Sequence, residues 1–578
     1  MLFRSKQGVQ QHVSQPVECT IPVKDQQKLP QQLESVMNGA LKQYNNKHFA
    51  KAIEACKKVL AVYPSNGEAY TLLAASEYSN ESNKKNAEEY IARAKKGLVF
   101  NFTSLVSWHL YGMMLRSERH YEEAAKTFKR LVTLDKSNTG FQRELYALEM
   151  QVGDYAGAFE TRALLYSTQG DLESSVLGKA VTADLTGRTK LAISLILEYQ
   201  KKFFKPKTEP LDISDSMLYL STLYKEDGDL EKAYETLTKN EHSILDKIVY
   251  KERCAELLML LGKKDEALDI YKKLIHLNPD NVPMYINAAK AMDKEVNALG
   301  DSLDAFMSMC NELVKREDDT PTMMKLRALP ANDEYKALFK KCLTKLIQKH
   351  IITVNKLVMG LFMENLSCES EKKYDIYVDT LKQLEGELKD EDLKFVYITE
   401  VERLIKKNST EEAAKAFEMI KEEKETIETL MVKARLLRKQ NKLVEAAEAM
   451  NATRKLDDTD RYLANRTAKY YFRANNIEKA VEIFKLFERN PNKDDKSPDP
   501  FNTRLDENAV VWFLIEYAEA AYRLGDMEKA ESLAKRVLKA YHSYTDDLFD
   551  FHGYIFNRFA ADTYISTLKA CKNYGISQ

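Results

Sequence analysis

The chain has 578 residues, more than one compact core usually supports, so several domains or one elongated repeat array are expected. Charged residues at 30% and hydrophobic ones at 44%, with only 19 glycines and 13 prolines, describe a folded, helix-rich protein and exclude a disordered or collagen-like one. A net charge of −1 leaves no bulk argument for nucleic acid or membrane, and seven scattered cysteines with no CxxC pair read as reduced core thiols without a zinc site.

No apolar run approaches transmembrane length, and the start, MLFRSKQGVQQHVSQPVEC, lacks the apolar core of a signal peptide. The cytosol is the expected compartment. Residues 1–30 are polar and Gln-rich without a period, and read as a mobile tail. Residues 31–289 then carry helical hairpins. Phe49, Ala52, Cys56 and Val59 hold the packing positions of the first, an insertion at Ser79–Lys85 interrupts the second, and Trp108, Tyr111, Gly112, Tyr121, Ala124, Phe128 and Leu131 make the third. Tyr121 and Tyr155 stand one tetratricopeptide period of about 34 residues apart, and so do Leu230 and Lys264. The predicted fold is all-α, a tetratricopeptide-repeat superhelix or α-solenoid.

The first hundred residues hold 14 Lys and Arg against 9 Asp and Glu. Lys51, Lys57, Lys58, Lys84, Lys85, Lys95 and Lys96 supply that excess, either as a surface for an anionic partner or as a solvated face. A carboxylate-gripping clamp of the chaperone-adaptor kind is not expected at the first repeat, where Met37 and Leu41 stand in the places of Lys and Asn.

From 290 to 395 the helical period persists but the small-residue positions are lost, so this stretch is predicted as a divergent helical segment. Register returns in 396–578, the C-terminal repeats and expected partner-binding region. Leu443, Ala446 and Met450 are repeated one period later by Ile477, Ala480 and Phe484. Arg489–Asn508, with Pro491, Pro498 and Pro500, is expected to loop out. The last repeat runs from Trp512 to Tyr541, followed by SYTDDLFDFHGY, where His552 is expected in the core.

In such hairpins the first helix packs through its fourth, seventh, eighth and eleventh positions, and its second, fifth, ninth, twelfth and thirteenth face inward. Those inward positions hold Arg435, Arg438 and Lys439 in one repeat, Tyr462, Lys469, Phe472 and Arg473 in the next, and Trp512, Ile515 and Tyr522 in the last. Cations converging with aromatic rings suit a polyanion or an acidic segment of a partner, although a solvated face accounts for them equally. Trp512 is either an interface anchor or covered by the Arg489–Asn508 insert. No GxSxG, P-loop, HExxH or clustered Cys and His occurs, so no catalytic centre, metal or cofactor of its own is expected.

The strings WHLYGMMLRSERHYEEAAKTFKRLVTLDK, LDDTDRYLANRTAKYYFRAN and YTDDLFDFHGY together resemble the auxiliary subunit of the N-terminal acetyltransferase A (NatA) complex, from about residue 35 to 570. The resemblance implies a non-catalytic subunit that wraps a small, acetyl-CoA-dependent GNAT-type catalytic subunit and tunes it for co-translational acetylation of nascent chains at the ribosome. It implies contact with that subunit at Tyr470 and Trp512. It also implies inositol hexakisphosphate at the subunit interface, near Lys433, Arg435, Arg461 and Lys469. A general scaffold with peptide-binding repeats is the alternative.

Overall fold

The computed structural model describes residues 29–80, 86–293, 303–361, 369–420, 425–487, 500–508, 510–555 and 560–573. Most of the predicted tail, Lys84 and Lys85, and the first part of the 489–508 insert lie outside the described residues. All elements among the described residues are helices, and none is long and apolar enough to cross a membrane. They form two compact units, Met1–Leu223 with Asp547–Gln578, and Tyr224–Asp546.

Among the described residues, unit 1 contains an α-solenoid of five hairpins, from Gln31–Asn45 with Phe49–Val62 to Glu173–Leu185 with Thr189–Phe203. The predicted packing residues form its core: Ala52, Cys56, Val59, Ala124, Phe128 and Leu131 are fully buried. Gly112 shows why the eighth position must be small. A Cβ placed there would stand 2.8 Å from the Phe128 ring, so the two helices of the hairpin could not close.

The turn inside each hairpin needs one residue in the left-handed region, because the chain reverses within a few positions of the last helical carbonyl. That residue recurs at Arg119, Gly153 and Gly187, at Gly228 and Gly262, and at Asn408, Asn441 and Asn475. Each step within these series is one repeat period, except that Asn408 to Asn441 is a single position shorter. The backbone thus carries the period of the side chains.

Unit 2 contains the rest. Its predicted divergent segment forms short helices, Leu303–Leu313, Thr320–Ala328, Asp333–Ile347 and Val354–Met359, followed by Ser370–Glu387. Leu303–Leu313 shares the apolar core of the preceding repeats, and the core of Asp333–Ile347, Val354–Met359 and Ser370–Glu387 runs on into Leu404, Ala413, Val432 and Leu436 of the regular repeats. Lys373 is wholly buried there and donates from Nζ to the carbonyls of Leu326 and Arg327, both at 3.0 Å, at the end of the Thr320 helix, where a cation satisfies exposed carbonyls.

Two boundaries differ from those expected. The units divide near Leu223 and Asp546, and the segment after Asp547, predicted with the C-terminal repeats, belongs to unit 1. The 489–508 insert does not simply loop out. Its described part is a helix, Pro500–Glu507, with Leu505 in the core and Arg536 bound to Asp506 at 2.8 Å and Asn502 at 2.6 Å. Phe501, Leu505 and Val510 give that stretch an apolar side, which the proline count alone does not reveal.

Candidate functional site

The helix Arg461–Arg473 sits at the centre of the candidate surface. Asp460 starts it by accepting from the Tyr462 amide at 2.7 Å, a cap worth about 1 kcal/mol. Leu463, Ala464, Thr467, Ala468 and Tyr471 are buried on one side, and Asn475, at φ 60°, ends the helix and turns the chain into Ile477–Lys485. Val511–Arg523, the first helix of the next repeat, packs against it, and the long helix Met527–Tyr554 follows.

Of the expected partner-binding residues, Tyr462 (52% exposed), Ile515 and Tyr522 are solvent-facing, and Trp512 is half-buried. Trp512 packs edge-on to Phe484 and Phe513, both at 5.7 Å, while the Lys469 ammonium stands 4.6 Å over its ring. The insert helix lays Phe501 on Phe484 and Phe513.

Phe472 and Tyr470 require correction: both are buried. Phe472, at the twelfth position, lies 5.1 Å from Phe513 and 5.5 Å from Tyr517, the third and seventh residues of the following first helix. The twelfth position therefore faces the next repeat before it faces the inner surface. Tyr470 lies beneath the Arg438 guanidinium at 5.7 Å. Neither ring is offered to a partner directly.

The basic residues are present, and much of their charge is already answered. Arg435 pairs with Glu402 at 2.6 Å, Lys433 with Glu425 at 3.0 Å, and Arg473 holds Glu516 through two nitrogens at 2.6 and 3.1 Å. The Glu516 hydrogen bonds raise the affinity of Arg473 for its proton above the usual. Lys439 donates to the Asn408 amide oxygen at 2.9 Å. Arg438, Lys439, Arg461 and Lys469 have no carboxylate at ion-pair distance among the described residues. Arg461 also borders a cavity of about 430 Å³ whose floor includes Phe484 and Phe501. Sequence reasoning missed the compensating acids. Glu516 was the most legible of them, since it stands in the next first helix one turn before Ala520.

In unit 1 the corresponding inner positions are filled from within the chain. Phe549 stacks on Tyr121 at 5.8 Å, with the Arg116 guanidinium 5.1 Å from its ring. His552, fully buried as expected, bridges Gln151 Oε1 at 2.9 Å and the Tyr564 hydroxyl at 2.6 Å. Burial lowers its pKa to about 4. Lys569 meets the buried Asp184 at 2.8 Å, which also accepts from the Tyr219 hydroxyl at 2.9 Å. Arg116, Gln151 and Asp184 occupy twelfth or thirteenth positions of three successive repeats. The surface that a peptide adaptor would use is here met by Phe549, His552 and Lys569. Lys51, Lys57, Lys58, Lys95 and Lys96 are exposed, with Lys58 paired to Glu54 at 2.9 Å.

No group of three or more His, Cys, Asp or Glu that could hold a metal occurs among the described residues.

Residues 211–574 match the model of the N-terminal acetyltransferase A auxiliary subunit family, and residues 105–138 match a tetratricopeptide repeat. Among curated relatives, the chain is 27% identical over 566 residues to mouse N-alpha-acetyltransferase 16, NatA auxiliary subunit, covering 94% of this chain and 62% of that protein. It is 25% identical over 562 residues to the Arabidopsis thaliana N-terminal acetyltransferase A complex auxiliary subunit NAA15, covering 94% and 61%. The chain thus spans about three-fifths of the length of these relatives. A solved structure of Naa15/Naa10 bound to HypK-THB superposes with a TM-score of 0.78 at 24% identity, over 93% of this chain and 80% of the matched one, which shows the same fold.

Proposed function

The chain belongs to the family of N-terminal acetyltransferase A auxiliary subunits, and on that premise we propose that it is a non-catalytic scaffold holding a small GNAT-type, acetyl-CoA-dependent catalytic subunit. Its task in this reading is to shape that subunit for co-translational N-terminal acetylation of nascent chains in the cytoplasm. The observation that carries the proposal is the family match through residues 211–574, which contains the whole aromatic and cationic surface around Trp512.

That surface suits a partner helix. Trp512, Tyr462 and Ile515 supply exposed or half-exposed apolar area, and Lys469 and Arg461 supply cations beside it. Inositol hexakisphosphate at the subunit junction fits the cations that have no carboxylate partner, with Lys433, Arg435 and Arg473 reached by exchange of their present acids. Ribosome contact through the exposed lysines of the first two hairpins completes the proposal.

The experiment is affinity purification of the full chain from its own cells, with acetylation of a Ser-starting peptide as the readout. A GNAT-fold subunit should co-purify near one to one, and the chain stripped of it should show only background turnover. Trp512→Ala should weaken that association by more than about tenfold. Robust acetylation by the chain alone, or a stable complex that lacks any acetyltransferase, would overturn the proposal.

A further inference from the structure

Leu105–Ser117, Thr139–Gln151, Glu173–Leu185 and Pro210–Glu226 are the first helices of four successive repeats. Each presents an inner side chain to residues from the far end of the chain. Arg116 lies against Phe549, Gln151 against His552 and Asp184 against Lys569, and the Thr222 hydroxyl donates to the Asp562 carboxylate at 2.9 Å. The helix Ala561–Asn573 thus runs from Thr222 past Asp184 towards Thr139–Gln151, where Leu568 is buried with Tyr146, Met150 and Ala158. There the Tyr564 hydroxyl, 2.6 Å from His552 Nδ1, ties it to the end of Met527–Tyr554.

Inner positions of a helical-repeat array are the ones its own hairpins leave for a ligand. We propose that Ala561–Asn573 is an internal ligand: it fills a helix-binding groove on unit 1, and its release opens that groove to an amphipathic helix of a partner protein with the same pattern, a tyrosine one turn before a leucine–lysine pair. Three observations separate this role from that of an ordinary core helix. The apolar cluster around Leu568 is small and distinct from the one that closes the hairpins through Phe128, Leu131, Leu145 and Leu148. The hairpins therefore keep their own core when the helix leaves. Phe549 belongs to that hairpin core and takes no part in the release.

The remaining fastening is polar, one contact to a repeat. The Asp184 side chain is 1% exposed but that of Lys569 is 33% exposed, so water and salt reach the ion pair from the lysine side. After release Asp184 retains the Tyr219 hydroxyl at 2.9 Å. Finally, the helix is a single outer layer, with Ser566, Thr567 and Ala570 exposed on the side away from the repeats.

The test opens the groove in the full chain with Leu568→Ala and Lys569→Glu, which remove the buried side chain and set a second carboxylate against Asp184. The probe is a fluorescent peptide with the sequence of Ala561–Asn573. A hydrocarbon staple joins the outward positions of Ser566 and Ala570, because a free peptide of this length holds little helix. The opened chain should bind it saturably and at least tenfold more tightly than wild type, whose groove is filled. A control peptide with Lys569→Glu, or Asp184→Asn added to the opened chain, should lose at least tenfold. Hydrogen exchange of the opened chain should show Leu105–Ser117 and Tyr121–Leu134 as protected as in wild type. No saturable binding, equal binding of the two peptides, or equal binding by the wild-type and opened chains overturns the inference. So does loss of protection throughout unit 1, because Ala561–Asn573 is then part of the core.

Discussion

The inner faces of the two units are finished differently. In unit 1 the twelfth and thirteenth positions of three successive repeats, Arg116, Gln151 and Asp184, are met by Phe549, His552 and Lys569 from the far end of the chain. In unit 2 the same register positions are met by the neighbouring repeat: Phe472 by Phe513 and Tyr517, Arg473 by Glu516. The series ends at Tyr522, which stays largely exposed. A repeat position fixes the direction in which a side chain points. Whether that side chain is spare depends on what arrives there, from the next hairpin or from residues hundreds of positions away.

The largest effect should come from breaking the closed face. Phe549 is nearly buried between Tyr121 and Arg116, so Phe549→Ala should cost about 3–5 kcal/mol locally, as truncation of a buried aromatic does. Trp512 is only half-packed, and Trp512→Ala should cost about 1–2 kcal/mol. Because two units need not unfold together, hydrogen exchange read helix by helix is the proper measurement. Phe549→Ala should raise exchange in Leu105–Ser117 and Thr139–Gln151, and Trp512→Ala only near Arg461–Arg473. Unchanged protection in Thr139–Gln151 would mean that Phe549 and His552 touch these repeats without holding them.

Two buried titratable groups near that closed face sharpen the comparison. His552 has its pKa lowered from 6.5 to about 4 by burial, so its contribution is present above pH 6.5 and is lost as pH falls towards 4. Glu149, hydrogen-bonded by Thr161 at 2.8 Å and close to Asp154, Glu160 and Lys129, has its pKa raised from 4.5 to about 7, again chiefly by burial. Its contribution is full below pH 4.5 and is lost as pH rises through 7. Between pH 4.5 and 6.5 the two slopes oppose each other. Glu149→Gln should therefore make unit 1 gain stability with rising pH across that window, and His552→Gln should make it lose stability. Each change is on the order of 2 kcal/mol from end to end. Parallel pH profiles for wild type and both variants would contradict these assignments.

Much of this was legible in the residues. The repeat period and the small residues at Gly112, Ala124 and Ala480 follow from packing rules that act within one hairpin, and the aromatic setting of His552 in FDFH pointed to a core without saying which. Three features were not. Phe472 looks inward by position, and only the next first helix, which the insert displaces along the chain, reveals that it is covered, while Tyr470 was expected at the interface from the family resemblance alone and is buried. Pro500 marks a break in the sequence but starts a helix in the structure, as proline is suited to do. The placement of Phe549, His552 and Lys569 in unit 1 depends on contacts such as His552 with Gln151, separated by 401 residues, for which a local pattern carries no signal.

The smallest expected effect concerns the cations that unit 2 has already matched. Arg435 and Lys433 are held by Glu402 and Glu425, so a polyanion reaching them must first displace those carboxylates. Glu402→Gln with Glu425→Gln removes that competition and adds two positive charges net, while the amide side chains can still accept hydrogen bonds. Affinity for inositol hexakisphosphate should then rise about fivefold, on the order of 1 kcal/mol, because these are partly exposed pairs whose net worth is small. Calorimetric titration at low and at physiological salt checks it, since an electrostatic gain must shrink as salt screens it. Lys469→Glu in the same background should reverse the gain. If the double variant binds the polyanion no better than wild type at either salt, these cations are a solvated and self-matched face, and the inner surface of unit 2 acts through its aromatic rings alone.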